Sequence, residues 1–246
     1  MQHRSKKIKK SFFIILVVLI VLSGSSAIYL GNYYHSVDVE KYMTSSSEVT
    51  IKKFDKGWFF DGAGEEKALI FYPGAKVATE AYAPLMYQLA ESGIDCFLVD
   101  MPFHMAFFGM NRAEEIMQEY NYEAWYHGGH SLGGAMAANF AADYVEDHTD
   151  GIRGLLLLAA YPTKDLSTSD MSVVTVYGSE DGVLNMDKIV AGRELMPQDY
   201  KEVCIEGGNH AQFGSYGAQK GDGTAAIPAE EQWARTVEVF VGDESE

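Results

Sequence analysis

The stretch WYHGGHSLGGAMAANF, residues 125–140, contains three patterns in succession. Aromatic and apolar residues come first, the turn GHSLG at residues 129–133 follows, and an alanine-rich run typical of a helix completes the stretch. A strand, a strained turn and a helix in this order expose the central serine of the turn, and the small residues let the helix approach the sheet. The pattern therefore predicts that Ser131 is a nucleophile.

Short apolar segments alternate with helical segments along most of the chain. Apolar runs without polar alternation are typical of parallel strands that helices cover on both faces, which indicates the α/β class. We predict a sheet of about eight strands, six of them apolar runs that follow an antiparallel-looking pair. The pair lies at 49–54 and 58–61, and the other strands at 68–72, 95–99, 125–128, 155–160, 173–177 and 200–205; the helices lie near 81–92, 113–119, 132–147, 187–195 and 230–240.

Four motifs and this strand order resemble the α/β-hydrolase superfamily. The motifs are FYPGAK (71–76), GGHSLGG (128–134), YGSEDGVL (177–184) and GGNHAQFGSYG (207–217), and the resemblance covers about residues 35–240. The chain looks most like small membrane-anchored bacterial hydrolases related to dienelactone hydrolases. Those hydrolases proper use a cysteine nucleophile, whereas this chain has Ser131, so their substrate does not transfer. The resemblance implies an α/β-hydrolase fold, and residues 161–172 leave no room for a large lid domain.

A serine nucleophile needs a base, and the base needs an acid that orients it. In the superfamily the order along the chain is serine, acid, histidine. The resemblance implies Asp181 as the acid, with Glu180 beside it and Asp165 after the preceding strand as alternatives. His210 is the single histidine after Asp181 and is the predicted base.

Two backbone N–H groups should stabilise the oxyanion that forms during acyl transfer. Leu132, directly after the nucleophile, supplies one of them. Relatives carry His-Gly-x after the first buried strand, where this chain has Pro73-Gly74-Ala75. The residue after the glycine is the donor, so we predict Ala75, with Lys76 as the alternative.

If any part of the chain covers the otherwise open site, the segments at 102–110 and 212–228 are the candidates. Four residues in or near them are predicted to contact substrate: Phe103, His104, Phe107 and Gln212. The aromatic residues suit an apolar acyl or alkyl group. Ordinary packing is an equally good interpretation of them.

Histidines other than His210 have simpler interpretations. His130 lies inside the turn and is expected to pack or to hydrogen-bond, and His127 is expected to be a core residue with satisfied ring nitrogens. No group of His, Asp, Glu and Cys has metal-ligand spacing and no cofactor motif is present, so neither metal nor cofactor is expected.

The first ten residues hold five of the 19 Lys and Arg and no acid. The remainder has 14 basic and 35 acidic residues, a formal charge of −21 that disfavours nucleic acid and anionic headgroups as partners. The apolar run at 12–22 continues through small residues to Leu30, long enough to span a bilayer, and a signal peptide cut after Ala27 is the alternative. Both interpretations place the catalytic domain outside the cytoplasm.

We therefore expect three parts in the chain. Residues 1–34 would be a basic tip with a membrane anchor or signal peptide, residues 35–47 a tether, and residues 48–241 the catalytic domain. The predicted function is a serine hydrolase that acts on a small-molecule acyl substrate, an ester first and a lactone, thioester or amide second. The rivals are an acyltransferase or a peptidase with the same triad and a non-catalytic binding domain.

Two cysteines, Cys96 and Cys204, fall on strands expected about five places apart. That separation is near 24 Å at about 4.8 Å per strand, too far for a disulfide.

Overall fold

A computed structural model describes residues 31–148 and 151–243, together with 15–18, 20 and 24. Eight strands form one sheet: β1 (Thr50–Phe54), β2 (Gly57–Asp61), β3 (Lys67–Tyr72), β4 (Asp95–Val99), β5 (Ala124–His130), β6 (Ile152–Leu158), β7 (Ser172–Gly178) and β8 (Tyr200–Ile205). The helices used below are α1 (Ala83–Glu91), α2 (Arg112–Glu119), α3 (Leu132–Asp147), α4 (Met186–Gly192) and α5 (Ala229–Asp243). These elements match the predicted order, and the predicted α/β-hydrolase fold is confirmed.

The strands lie in the order β1-β2-β4-β3-β5-β6-β7-β8. β1 and β2 pair antiparallel, β2 also meets β4 antiparallel, and every pair from β4 to β8 is parallel. The carboxyl ends of the parallel strands therefore meet at one edge of the sheet. Ser131 follows β5 at this edge, near the middle of the sheet.

Alternate residues of each strand pack against opposite helical layers. On β3, Leu69 and Phe71 belong to the core beneath α1 and α5, whereas Ile70 and Tyr72 belong to the core beneath α2 and α3. All four are fully buried. Burying an aliphatic or aromatic side chain of this size contributes about 1.5–3 kcal/mol, so both faces of the central strands stabilise the fold.

Two elements end differently from the prediction. The strand expected to reach residue 160 ends at Leu158, because Ala159 adopts a positive φ of 45° that a strand cannot continue through. The helix expected over 187–195 is α4 followed by the 3-10 turn Arg193–Leu195.

The cysteine prediction is confirmed. Cys96 lies on β4 and Cys204 on β8, five positions apart in the sheet. Both thiols are free.

Residues 35–47, expected as a tether, are folded onto the domain. Val39 is buried, and the ring of Tyr42 meets the rings of Tyr87 and Trp233 edge-on at 5.8 and 6.0 Å between centroids. The burial of these apolar side chains corrects the expectation that was based on the polar composition of the segment. The compact unit accordingly runs from Tyr34 to the end of the chain.

The N-terminal unit, residues 1–33, is a separate unit. Its described residues at 15–18, 20, 24 and 31 are helical, and the apolar side chains at 15–18 and 20 are exposed. Among the described residues, no helix has the length and apolar character that crossing a bilayer requires. The basic tip, the site after Ala27 and most of the apolar run lie outside the described residues.

Candidate active site

The serine turn has the strained geometry of a nucleophile elbow. Ser131 adopts φ 53° and ψ −121° between β5 and α3, and its N–H donates to the Leu158 carbonyl on β6 at 2.8 Å. A positive φ is uncommon for a residue with a side chain and persists only where the surroundings impose it. Gly133 helps to impose it, since a Cβ there would lie 2.1 Å from the Tyr72 carbonyl oxygen. The helix can therefore start this close to β3 only with glycine at 133.

Asp181 and His210 form a buried pair. His210 Nδ1 lies 2.8 Å from Asp181 Oδ2, and each side chain is 2% exposed. The other oxygen, Oδ1, accepts the N–H groups of Val183 and Leu184 at 2.9 and 2.7 Å. Because the Asp181 carboxylate is the acceptor in each of these bonds, the proton between the two residues is on His210 Nδ1, and His210 Nε2 is left as an acceptor.

Ser131 and His210 line one cavity of about 260 Å³. Within the part of the chain that the structure describes, the buried Nε2 of His210 has no hydrogen-bond partner, so no such bond joins it to the Ser131 hydroxyl. Bonds between nucleophile and base are often long before substrate binds. The arrangement thus offers an unused acceptor beside a serine hydroxyl in one small cavity.

The two alternative acids do not meet the histidine. Glu180 is exposed and accepts from the Ser179 hydroxyl at 3.1 Å. Asp165 is exposed, and hydrogen bonds from Ser167 hold its pKa below the usual value. Of the three acids, Asp181 alone contacts His210.

The two predicted oxyanion donors are unused. Neither Ala75 N–H nor Leu132 N–H donates to an acceptor among the described residues, and Leu132 is at the first position of α3, where an N–H has no partner within the helix. The alternative donor, Lys76 N–H, is occupied by the His104 carbonyl at 2.7 Å. Ala75 and Leu132 are therefore available to an incoming oxyanion.

Tyr82 joins the loop that carries Ala75 to the serine turn. Its hydroxyl accepts from Gly74 N–H at 3.0 Å and lies 2.8 Å from His130 Nδ1. A Cβ on Gly74 would lie 2.8 Å from both of these side-chain atoms, so the contact requires glycine. One hydroxyl therefore contacts both the loop of Ala75 and the serine turn.

His130 is buried, and its ring lies 4.4 Å from the His210 ring between centroids. Burial, with the nearby His210 as a smaller cause, holds the pKa of His130 well below its ordinary value. A neutral ring bonded to Tyr82 fits a packing role, as expected from the sequence.

Asp222, which the sequence did not single out, links the acid loop to the base loop. Its carboxylate accepts Gly182 N–H at 3.1 Å, His210 N–H at 3.2 Å and Ala211 N–H at 2.8 Å. The motif Gly-Asp-Gly at 221–223 suggests a turn, and no sequence signal connects it with residues 181 and 210. One carboxylate therefore fixes the spacing of the two loops.

Gln232 on α5 holds the residue before the histidine. Its side chain is fully buried, accepts Asn209 N–H at 3.0 Å and donates to the Asn209 carbonyl at 2.8 Å. This pair of bonds ties the backbone before His210 to a helix. A single glutamine in a helical segment gives no sequence signal for that role.

The predicted substrate contacts are not at the cavity. Phe103 and Phe107 are more than half exposed, and Gln212 lines a different pocket of about 520 Å³. The cavity beside Ser131 opens toward the loops after β6 and β7, whereas residues 102–110 follow β4 on the other side of the serine, which is why the aromatic segment does not reach it. The other lining residues are Leu132, Ala135, Ala159, Ala160, Tyr161, Val183, Leu184 and Asn185.

His127 differs from expectation. It is buried in the core, with its ring edge-on to Tyr72 at 4.4 Å and to Phe140 at 5.3 Å between centroids. Neither ring nitrogen has a hydrogen-bond partner among the described residues, and burial lowers its pKa to about 3. Its place in the core was predicted correctly, but its nitrogens are not satisfied.

No group of three or more His, Cys, Asp or Glu that could hold a metal ion occurs among the residues that the structure describes.

A family model described as "Alpha/beta hydrolase family" matches residues 68–234. The chain belongs to the alpha/beta hydrolase family. The matched residues include the serine turn, Asp181 and His210. None of the curated proteins compared with the chain matches it in sequence.

Solved structures with the same fold include several hydrolases. Carboxyl esterase 2 from Tuber melanosporum is 13% identical with a TM-score of 0.60, and the match covers 85% of this chain and 89% of the esterase. A soluble variant of monoglyceride lipase from Saccharomyces cerevisiae is 12% identical with a TM-score of 0.55, covering 82% of this chain and 97% of the lipase. Est1E from Butyrivibrio proteoclasticus, solved with ferulic acid bound, is 15% identical with a TM-score of 0.54, and the match covers 75% of this chain and 92% of Est1E. At these identities the likeness concerns the fold.

Proposed function

We propose that this alpha/beta hydrolase family member is a serine hydrolase that cleaves carboxylic esters through Ser131, His210 and Asp181. The observation that carries the proposal is the unused, buried Nε2 of His210 in the same cavity as Ser131, with Nδ1 held by Asp181. Buried His127 also lacks partners for its ring nitrogens, and what distinguishes His210 is the carboxylate on its Nδ1 together with a serine in the same cavity. Neighbouring structures that are esterases or a lipase favour the same reaction class.

In the proposed reaction the Ser131 oxygen attacks the acyl carbon while His210 Nε2 accepts the hydroxyl proton. The carbonyl π bond opens, and the N–H groups of Ala75 and Leu132 hold the resulting oxyanion. When the tetrahedral intermediate collapses, the bond to the leaving oxygen breaks and Nε2 returns its proton to that oxygen. Water then repeats the sequence on the acyl-enzyme, which releases the carboxylic acid and restores Ser131.

The cavity favours a small apolar acyl group. Its volume of about 260 Å³ is below the range of about 300–1,000 Å³ usual for sites that take drug-sized ligands. Ala159, Ala160, Val183 and Leu184 form much of its wall. An ester with a short acyl chain fits this lining.

We also propose that the domain lies outside the cytoplasm, held by the N-terminal segment or released from it by cleavage after Ala27. The five cations before the apolar run support this orientation.

A fluorophosphonate probe tests the proposed function. The probe is expected to modify Ser131 in the folded full chain, as located by mass spectrometry, and to leave Ser131→Ala unmodified. Hydrolysis of p-nitrophenyl acetate and butyrate should fall by about 10³-fold or more in Ser131→Ala and in His210→Ala. A folded protein that the probe does not label would overturn the proposal. Labelling without ester turnover would instead indicate a transferase or a peptidase.

A further inference from the structure

The exposed large apolar side chains of the compact unit lie at one edge of the sheet. Those among the described residues from 34 onward are Val37, Phe103, Phe107, Phe108, Val183, Met186 and Val190. Phe103, Phe107 and Phe108 follow β4, Val183 to Val190 follow β7, and Val37 is bonded to Ser215 in the loop after β8. The segments after β4 and β7, and the loop after β8 to which Val37 is bonded, all follow carboxyl ends of strands, which is the edge that also carries Ser131.

The three phenylalanines form one exposed cluster. Phe108 meets Phe107 at 4.0 Å and Phe103 at 5.6 Å between ring centroids, and each side chain is at least half exposed. The backbone that presents them is strained, since Phe103 and His104 have φ of 56° and 55°. Such positions cost of order 1–3 kcal/mol each and persist where they serve a function. An exposed apolar cluster held in this way marks a contact surface.

The chain enters the compact unit beside this cluster. Tyr34 N–H donates to the Lys76 carbonyl at 2.7 Å, and the Tyr34 carbonyl accepts from Ala78 N–H at 2.8 Å. Lys76 in turn bonds the carbonyl of His104, the residue after Phe103. Tyr34, the first residue of the compact unit, therefore lies at the edge that holds both the phenylalanines and the proposed oxyanion loop.

The length of the connection limits where the domain can sit. If the apolar window at 12–30 spans a bilayer, three residues separate its end from Tyr34, so that four Cα–Cα steps join the two. A chain of that length reaches at most about 14 Å. The edge with Tyr34 then lies within about 14 Å of the bilayer, close enough for neighbouring aromatic side chains to enter the headgroup layer.

We propose that this edge of the sheet rests on the lipid bilayer, with Phe103, Phe107 and Phe108 at headgroup level, and that the substrates are esters of short acyl groups carried by membrane lipids. The substrate class rests on the proposed hydrolase function, whereas the docking surface does not. Phenylalanine is among the residues that interfacial protein segments bury at the boundary between headgroups and acyl chains. The charge of −21 outside the first ten residues disfavours an anionic surface, so the surface is neutral or zwitterionic.

A tryptophan reporter tests the docking surface without using activity. The full chain is reconstituted in phosphatidylcholine vesicles with the substitution Phe108→Trp. A matched control carries Glu65→Trp, at the opposite edge of the sheet. Dibrominated phosphatidylcholine is expected to quench at least half of the fluorescence that Phe108→Trp adds to the parent, and little of that added by Glu65→Trp. Equal quenching at the two positions, or a full chain that does not float with the vesicles, would overturn the proposal.

A second measurement tests the substrate class. Phe108→Ser is expected to lower hydrolysis of hexadecyl acetate, a membrane-embedded ester with a short acyl group, in phosphatidylcholine vesicles about fivefold or more, with soluble p-nitrophenyl acetate hydrolysed at the parent rate. Equal rates of parent and variant on the embedded ester would refute the lipid substrate while leaving the serine hydrolase intact. A parent that hydrolyses neither ester contradicts the proposed function and with it the lipid substrate, while the quenching result still decides the docking surface.

Discussion

The Tyr82 hydroxyl lies 2.8 Å from His130 Nδ1 and 3.0 Å from Gly74 N, so one buried oxygen joins the serine turn to the loop of the proposed oxyanion donor Ala75. The two loops belong to β5 and β3, which are neighbours in the sheet. Their relative position sets the distance between the nucleophile and Ala75 N–H, and a shift of about 1 Å in such a geometry can cost about 100-fold in rate.

Replacing Tyr82 by Phe should lower kcat about 10- to 100-fold with little change in KM, because an oxyanion donor acts mainly in the transition state. The buried Gly74 N–H and His130 Nδ1 would also lose their partner, at a cost of about 1–3 kcal/mol in the free energy of unfolding. Steady-state kinetics and denaturant unfolding measure the two effects. Tyr87→Phe on α1, the helix that follows Tyr82, removes an exposed hydroxyl bonded to Ser46 and should change neither. Parent-like kcat in Tyr82→Phe would contradict the positioning role.

Replacing Asp222 by Asn should reduce kcat/KM about 10-fold or more and destabilise the loop after β8. The carboxylate accepts backbone N–H groups through both oxygens, and the amide of Asn would place a donor against one of them. Esterase kinetics with hydrogen exchange of the Ala211 amide would measure this. Asp170→Asn removes the same charge from an exposed loop position and serves as the control. Equal behaviour of the two variants would show that Asp222 contributes charge alone.

Replacing Gln232 by Met should lower the free energy of unfolding by about 2–4 kcal/mol, because Asn209 N–H and C=O would both be left buried without partners. Since Asn209 precedes His210, kcat should fall as well. Gln232→Glu can still accept from Asn209 N–H but cannot donate to its carbonyl when ionised, so it separates the two bonds. An activity loss in Gln232→Met without any loss of stability would contradict this account.

Acid should destabilise the protein through His127. The folded protein keeps the pKa of His127 at about 3, whereas an unfolded chain protonates it near pH 6.5. The contribution of neutral His127 to the free energy of unfolding is thus complete above about pH 6.5. It is lost as the pH falls toward 3, at about 1.4 kcal/mol per pH unit. His127→Phe should reduce the slope of unfolding free energy against pH by about one proton over this window. Phe140→Leu, which alters packing beside the same ring without removing a titrating group, should keep the parent slope.

The sequence was sufficient to predict the sheet and the proposed catalytic residues, but not the hydrogen bonds that hold the loops of these residues in place. Apolar strand runs predicted the parallel sheet, the turn after the third apolar run predicted Ser131, and the resemblance to the α/β-hydrolase superfamily implied Asp181 and His210. Tyr82, Asp222 and Gln232 act through hydrogen bonds to backbone groups of distant segments, and such bonds leave no pattern in residue type. The left-handed backbone at Phe103 and His104 was equally hidden, since neither is glycine.

The hydrogen bonds of the Asp222 carboxylate limit where this fold can accept insertions that change its substrate range. The segment at 212–228 contains Asp222, whose hydrogen bonds join the loop of Asp181 to the loop of His210. Lengthening this segment near residues 221–223 would therefore disturb the proposed catalytic residues. Among the described residues, the turn at 105–109 makes no hydrogen bond to either loop, so it can accept added residues without moving them. Insertions that alter substrate range should therefore be tolerated after β4 and selected against after β8.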